Sequence, residues 1–355
     1  MASEDLEFVS DIHEAEDDIE QINREYYMRG WSDGLPIIPP TPERVQRMLE
    51  GTSRDPQRVI GRIPPRWGDA TVEKVAINAV MAGCLPVYMP VLITALEAML
   101  APEFNLYGIQ ATTHPVAPLL ILNGPLARQL DVNNSYNIYG PGWRANATIG
   151  RAIRMLLLNV GGGVPGSGDR STQGSPAKFA FCIAENETRN PWSSLHVERG
   201  FDAAASTVTV WGGESPHNVN DHVSQSAPNL LTTIADAAAT MGMNNLYLND
   251  TEMLIVLGPE HAATIAAEGW TKPDVQQFLF EQARVPVRRA KLGGMWGMQD
   301  WPTWLHIQDE DTGIPVVRRW QDMVVMVAGG AGKHSSCVPT FGATRSVTRE
   351  ITDAA

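Results

Sequence analysis

Apolar and polar positions along this chain follow two periods, and the switches between them mark out its elements. Short apolar runs bounded by turn residues read as buried strands: residues 119–123 in PLLILNGP, 178–184 in KFAFCIA, 207–211 in TVTVW, EMLIVL before GPEHA, and 323–328. Between them, VEKVAINAVMAG, ATIGRAIRMLLLNV, NLLTTIADAAATMG and KPDVQQFLFEQAR place apolar residues three and four apart, as one face of a helix requires. Strands alternating with helices predict the α/β class.

The pattern is written twice. VIGRIPPRWGDAT, a helix, PLLILNGP and a second helix are matched in order by STVTVWGGESPHNVND, a helix, EMLIVLGPEHA and a fourth helix. The expectation is two similar α/β units related by a pseudo-twofold, residues 59–200 and 201–345, with a tail at 346–355. Residues 1–58 precede them as an N-terminal helical arm, a Pro-rich clasp and a helix. In the arm Ile12, Ile19, Ile22, Tyr26 and Tyr27 form a partial apolar stripe, to be covered by the body or by a second subunit. In the clasp Asp33-Gly34 makes a turn and Thr41-Pro42 opens a helix that Gly51 follows. Half one carries two insertions, the helix 91–100 and the loop NNSYNIYGPGWR, and beyond Arg284 the chain turns Trp-rich at Trp296, Trp301 and Trp304.

Charge changes this picture at one end only. The formal net charge is -13, but residues 1–20 hold nine acids and no Lys or Arg, leaving 31 acids against 27 bases elsewhere. So balanced a body has no electrostatic footprint for nucleic acid or an anionic membrane. The apolar stretch 86–102 is interrupted by Thr94, Glu97 and prolines, so it reads as core and not as a membrane span. Three cysteines, Cys84, Cys182 and Cys337, without CxxC spacing do not make a disulfide framework. The N-terminus is acidic where a signal peptide is basic, so the expected location is the cytoplasm.

Candidate chemistry gathers where strands are expected to release glycines. After 207–211 come Gly212-Gly213 and a loop holding Glu214, His217, Asn218, Asn220, Asp221 and His222. Here one histidine is a candidate general base oriented by Asp221, or His217 and His222 are metal ligands; alternatively the Asx residues cap the next helix. The first-half counterpart offers Arg66, Trp67 and Asp69 to the same cleft. GGAGKHSS lacks the spacing of a nucleotide-binding P-loop, yet its backbone N–H groups with Lys333, His334 and Ser335 suit an anion or catalysis. His114 precedes an expected central strand. Arg144 and Asn146 stand at a helix start that suits a carboxylate or phosphate, and Glu185 and Glu187 end another strand as acid and base or as metal ligands. Each of these also has a local structural reading as turn or cap. Cys84 and Cys182 read as buried packing; Cys337, beside Lys333 and His334, is the most reactive candidate thiol.

The phrases WSDGLPIIPPTPERVQRML, ATVEKVAINAVMAGCLP, ATTHPVAPLLILNGP, RANATIGRAIRMLLLNVGG, FCIAENE, LHVERGF and GPEHAATIAAEGW resemble, over about residues 31–345, a bacterial family found as, or fused to, the larger companion of small UGSC-type (seleno)proteins. The chain has no UGSC motif of its own. The resemblance implies an enzyme or enzyme subunit in redox or thiol-dependent chemistry, with a separate small UGSC-type thiol or selenol protein as partner; it carries over no catalytic residue.

The functional expectation is an enzyme acting on a small polar, anionic substrate in a cleft between the two units. The chemistry is acid/base or metal-assisted hydrolysis or elimination, or thiol-dependent reduction, with a divalent metal as the candidate cofactor and a homo-oligomer as the expected assembly. The alternative is a non-catalytic scaffold or regulatory subunit that binds a small thiol or selenol protein.

Overall fold

The computed structural model describes residues 8–298 and 300–352. Helix α1 (Ile19–Met28) starts at Asp18, whose carboxylate accepts from the N–H groups of Glu20 and Gln21. α2 (Pro42–Leu49) has proline in its first turn, where a missing N–H costs nothing. A hairpin of β1 (Val59–Ile63) and β2 (Gly68–Thr71) leads into α3 (Val72–Ala82), capped by the Thr71 hydroxyl and ended by Gly83 in the left-handed region. α4 (Met89–Met99) is apolar on all sides and almost wholly buried. Then follow α5 (Leu106–Gln110), β3 (Ala117–Asn123), α6 (Pro125–Gln129), α7 (Arg144–Asn159), β4 (Cys182–Ala184) and α8 (Leu195–Glu198). The chain continues through β5 (Thr207–Gly213), β6 (His217–Asn220), α9 (Ala227–Ala237), α10 (Asn244–Tyr247), β7 (Met253–Leu257), α11 (Pro259–Ala267) and α12 (Lys272–Gln282). A small hairpin, β8 (Arg284–Pro286) and β9 (Gly313–Pro315), brackets α13 (Val287–Ala290). β10 (Met323–Val327), β11 (His334–Val338) and β12 (Val347–Glu350) close the chain.

The class is α/β, as the periodicities predict. Two four-stranded sheets carry the body, in the orders β12-β5-β3-β4 and β10-β7-β11-β6. β3 has β4 parallel on one side and β5 antiparallel on the other, with β12 antiparallel to β5; β7 has β10 parallel on one side and β11 antiparallel on the other, with β6 antiparallel to β11. The chain exchanges its edge strands. β6 follows β5 but joins the second sheet, and β12 follows β11 but joins the first. Two expectations change here. The first sheet draws β5 and β12 from beyond residue 200, and the segment GGESPHNVND is largely strand where a loop was expected.

Alternation along the strands builds the layers. Leu120, Leu122, Val208, Val210, Cys182 and Ala184 pack with α2, α3, α4 and α7. Their neighbours Leu119, Ile121, Ile183 and Trp211 point the opposite way and meet Leu254, Val256, Val324, Met326 and Val338 of the second sheet. Met253, Ile255, Leu257, Val325 and Val327 then pack with α9, α11 and α12. The result is helices, sheet, sheet, helices. Each fully buried Leu or Ile contributes roughly 1.5–3 kcal/mol, and the inter-sheet layer holds the sheets face to face.

At one end of this sandwich β3 and β7 each run into Gly-Pro. A Cβ on Gly124 or Gly258 would lie 2.1 Å from the carbonyl oxygen of Ala205 or His334, so glycine is what lets the neighbouring strand come so close. The end of β4 meets the end of β10 there, through Asn186 N–H donating to the Val327 carbonyl at 2.7 Å. Among the described residues, no single helix is long and apolar enough to cross a membrane.

Candidate functional site

The register of β6 against β11 sorts the expected residues. Asn220 stands opposite His334, Val219 opposite Ser335, Asn218 opposite Ser336, and His217 opposite Cys337. Side chains alternate between faces, so His334, Ser336, Asn218 and Asn220 share one face while Ser335, Cys337, Val219 and His217 share the other. Val219 and Cys337 are buried against the helices, which places His217 on that side, away from His334. His217 and His222 are therefore not partners.

His222, just beyond β6, turns its ring to His334 instead. The ring centroids are 5.2 Å apart at 78°, and the two Nε2 atoms face each other at 3.4 Å. His334 Nδ1 lies 3.1 Å from Asn218 Oδ1. An amide oxygen only accepts, so Nδ1 carries the proton and Nε2 presents a lone pair. Lys333 Nζ sits 3.5 Å from the carbonyl of His222. The inserted loop of half one closes on this place from the side: Tyr139 Oη is 3.1 Å from Ser336 Oγ, Gly329 N–H donates to the Asn134 carbonyl, and the Tyr136 ring packs over Gly330.

Behind the exposed pair lies a buried chain of hydrogen bonds. His261, the third residue of α11, has Nε2 3.0 Å from the main-chain carbonyl of Asp221 and Nδ1 2.7 Å from Ser335 Oγ. The carbonyl fixes Nε2 as the donor, so Nδ1 accepts the Ser335 hydroxyl, whose oxygen in turn accepts from Gly258 N–H at 3.1 Å. Burial lowers the pKa of His261. The Asp221 carboxylate does not orient a histidine. It clamps the turn before α9 by accepting from Val223 N–H, Ser224 N–H and the Thr233 hydroxyl. Burial works to raise its pKa, but these hydrogen bonds outweigh it and hold Asp221 at about 2.

The other expected residues lie elsewhere. Glu214 pairs with His114, Oε1 to Nε2 at 2.8 Å, where β5 ends and β3 begins. The seven residues of β3 separate that end from the Asn123 end by roughly 20 Å at about 3.3 Å per residue. Arg66 packs on Gly162 beyond the end of α7, so it faces neither His217 nor Lys333. Arg144 donates from Nε and Nη2 to the Gly83 carbonyl at 3.1 and 3.0 Å, closing the end of α3. Asn146 is buried inside α7 and holds Asn133 and the Cys182 carbonyl. The contacts of Arg144 and Asn146 are ties within the fold.

Glu185 and Glu187 are likewise spent on protein donors. Glu185 accepts from Asn123 Nδ2 at 2.6 Å, Leu195 N–H at 2.8 Å and Asn190 Nδ2 at 2.8 Å; burial raises its pKa, against the pull of Lys272. Glu187 accepts from Gly124 N–H at 2.7 Å and Asn123 Nδ2 at 3.0 Å, with Arg128 at 3.3 Å. Among the described residues, no three His, Cys, Asp or Glu side chains gather as a metal cage. The network includes residues the sequence did not single out: Asn123, Thr207 and His196 each bury a polar atom that has no hydrogen-bond partner among the described residues, and Asn123 stands opposite Thr207 in the β3–β5 ladder. His261 was equally hidden, its only signal being its place just after Gly-Pro at a strand end. A cavity of about 490 Å³ lies between the segment before α1, α1 itself, the Pro-rich clasp and α3; Ile12, Ile22 and Tyr26 of the expected apolar stripe line it, and none of the candidate site residues does.

All three cysteines are buried and unpaired. Burial pushes the thiols of Cys84 and Cys337 up to about 12 and that of Cys182 up as well, so Cys337 is not the reactive thiol its neighbours suggested. No family model matches the chain, and neither does any curated protein.

Proposed function

We propose that the chain is an enzyme, or the catalytic subunit of one, that performs acid/base chemistry of hydrolytic or lyase type on a small polar, anionic substrate. The observation that carries this reading is the facing pair His222–His334, exposed at a strand end, with Asn218 fixing the proton on His334 Nδ1. A lone pair on His334 Nε2 suits a general base, and His222 beside it suits the complementary acid. Lys333 would receive the negative charge, since Gly329 N–H and Gly332 N–H are already given to the Asn134 carbonyl and to Glu260 Oε1. The matching strand orders favour two units related by a pseudo-twofold. Three unpaired cysteines favour a cytoplasmic setting. Exposed Val9, Ile12, Ile19, Tyr27 and Met28 favour a homo-oligomer.

The test is a panel of small carboxylate and phosphate substrates assayed with the wild type and three variants. His334→Ala and His222→Ala should each lower turnover by about 10²-fold or more, and His217→Ala should not. Turnover by His334→Ala at the wild-type level would sink the proposal.

A second reading draws on the buried cysteines. Any thiol chemistry would have to come from another protein, which fits a regulatory or scaffold subunit that binds a small UGSC-type thiol or selenol protein. Activity that appears only when such a protein is added would favour it.

A further inference from the structure

We infer that His222 and His334 hold one divalent transition-metal ion, of the zinc, nickel or copper kind, between their Nε2 atoms. The inference rests on the pair proposed above and names what it binds: a bound ion would take both Nε2 lone pairs, so the acid/base reading describes the metal-free pair.

The geometry is the first argument. Two imidazole nitrogens, each about 2.0–2.1 Å from one metal at a tetrahedral angle, stand about 3.3–3.4 Å apart. The observed Nε2–Nε2 distance is 3.4 Å. As a direct hydrogen bond the contact is long, the ordinary N–H···O range being about 2.7–3.2 Å, whereas it matches the spacing of two ligands on one ion.

Protonation is the second. Metal-binding histidines usually donate their other ring N–H to a neighbouring acceptor, which fixes the tautomer and strengthens the ligand. His334 does this with Asn218 Oδ1, leaving Nε2 free to coordinate. Asn218 is a positioning residue here, acting through His334.

The third is rigidity. His334 begins β11, held by its ladder with β6 and by the close approach of its carbonyl to Gly258. His222 follows β6 in a turn clamped by the Asp221 carboxylate. The two ligands thus come from different elements of one fixed frame, and binding needs little rearrangement. Two imidazoles without a carboxylate select zinc, nickel or copper over magnesium or calcium. The remaining coordination positions face solvent, where an anionic substrate could enter beside Lys333.

The experiment uses full-length protein stripped with a chelator, titrated with zinc in a calorimeter and with copper under electron paramagnetic resonance. Wild type should bind one equivalent, and copper should show two nitrogen donors. His222→Ala and His334→Ala should each weaken binding at least about 10-fold, Asn218→Ala about 10- to 100-fold, and His217→Ala not at all. The altered side chains are exposed, and far-ultraviolet circular dichroism checks that each variant is folded. Absence of saturable binding, unchanged binding in His334→Ala, or loss in His217→Ala would overturn the inference. Binding is read without turnover, so the two proposals fail separately. If no metal binds but His334→Ala is inactive, the ion is wrong and the acid/base pair stands; if metal binds but His334→Ala turns over normally, the converse holds.

Discussion

Asn123 donates its amide to Glu185 over 2.6 Å and so ties the end of β3 to the end of β4 inside the protein. The carboxylate is fully engaged, with Asn190 and the backbone of Leu195 as its other donors. Glu185→Gln keeps the shape but turns an NH2 group toward one of these donors. We expect a loss of about 2–4 kcal/mol in stability, seen as a lower denaturant midpoint with an unchanged slope.

His261 gives a pH signature. Its folded pKa lies below the ordinary value of 6.5 because burial disfavours the charged ring. The unfolded chain therefore takes up a proton first as pH falls, and stability drops through that window. The contribution is complete above pH 6.5 and is lost progressively from there down to the depressed folded pKa. Melting temperatures measured from pH 8 to pH 5 should fall below pH 6.5, and less so in His261→Gln. Equal slopes in the two proteins would show that another group sets the dependence.

Gly258 has φ −64, a conformation open to any residue, so its cost of substitution is steric. The added Cβ of Gly258→Ala would meet the His334 carbonyl at 2.1 Å, and one of the two strands must move. Thermal unfolding should show a loss of about 1–3 kcal/mol, and the His222–His334 pair should bind zinc more weakly than in the wild type.

Thiol chemistry can be checked by counting. With Cys84, Cys182 and Cys337 all buried and their thiols pushed up, the native protein should react with a thiol-specific dye at essentially none of them, and the denatured protein at all three. Fast reaction of one cysteine in the native state would reopen the thiol-dependent alternative.

The elements were readable because burial writes itself into periodicity: PLLILNGP and EMLIVLGPEHA both became buried strands ending in Gly-Pro. What was not readable was which face of such a strand meets which layer, since Leu119 and Leu120 are equally apolar. PHNVN looked like a loop because it is polar. It is an edge strand with only Val219 buried, and the other side chains have no packing to satisfy. The partners of the candidate site residues were hidden for a different reason. Arg144 at a helix start has the letters of an anion site, but its partner is Gly83, distant in sequence; His261 has no motif, and its partner Ser335 is equally remote. Of the histidines expected to act together, only His222 and His334 meet, because alternation along β6 sends His217 to the opposite face.

The exchanged edge strands make the two sheets hostages to each other during synthesis. β3 and β4 leave the ribosome early, but the edge of β5 stays open until residue 350 has been made and β12 can pair with it. Until then a row of unpaired N–H and C=O groups is on offer to any passing strand. With β12 in place the first sheet is complete, and a short, partly exposed polar strand stands at its edge in place of the wholly buried β5.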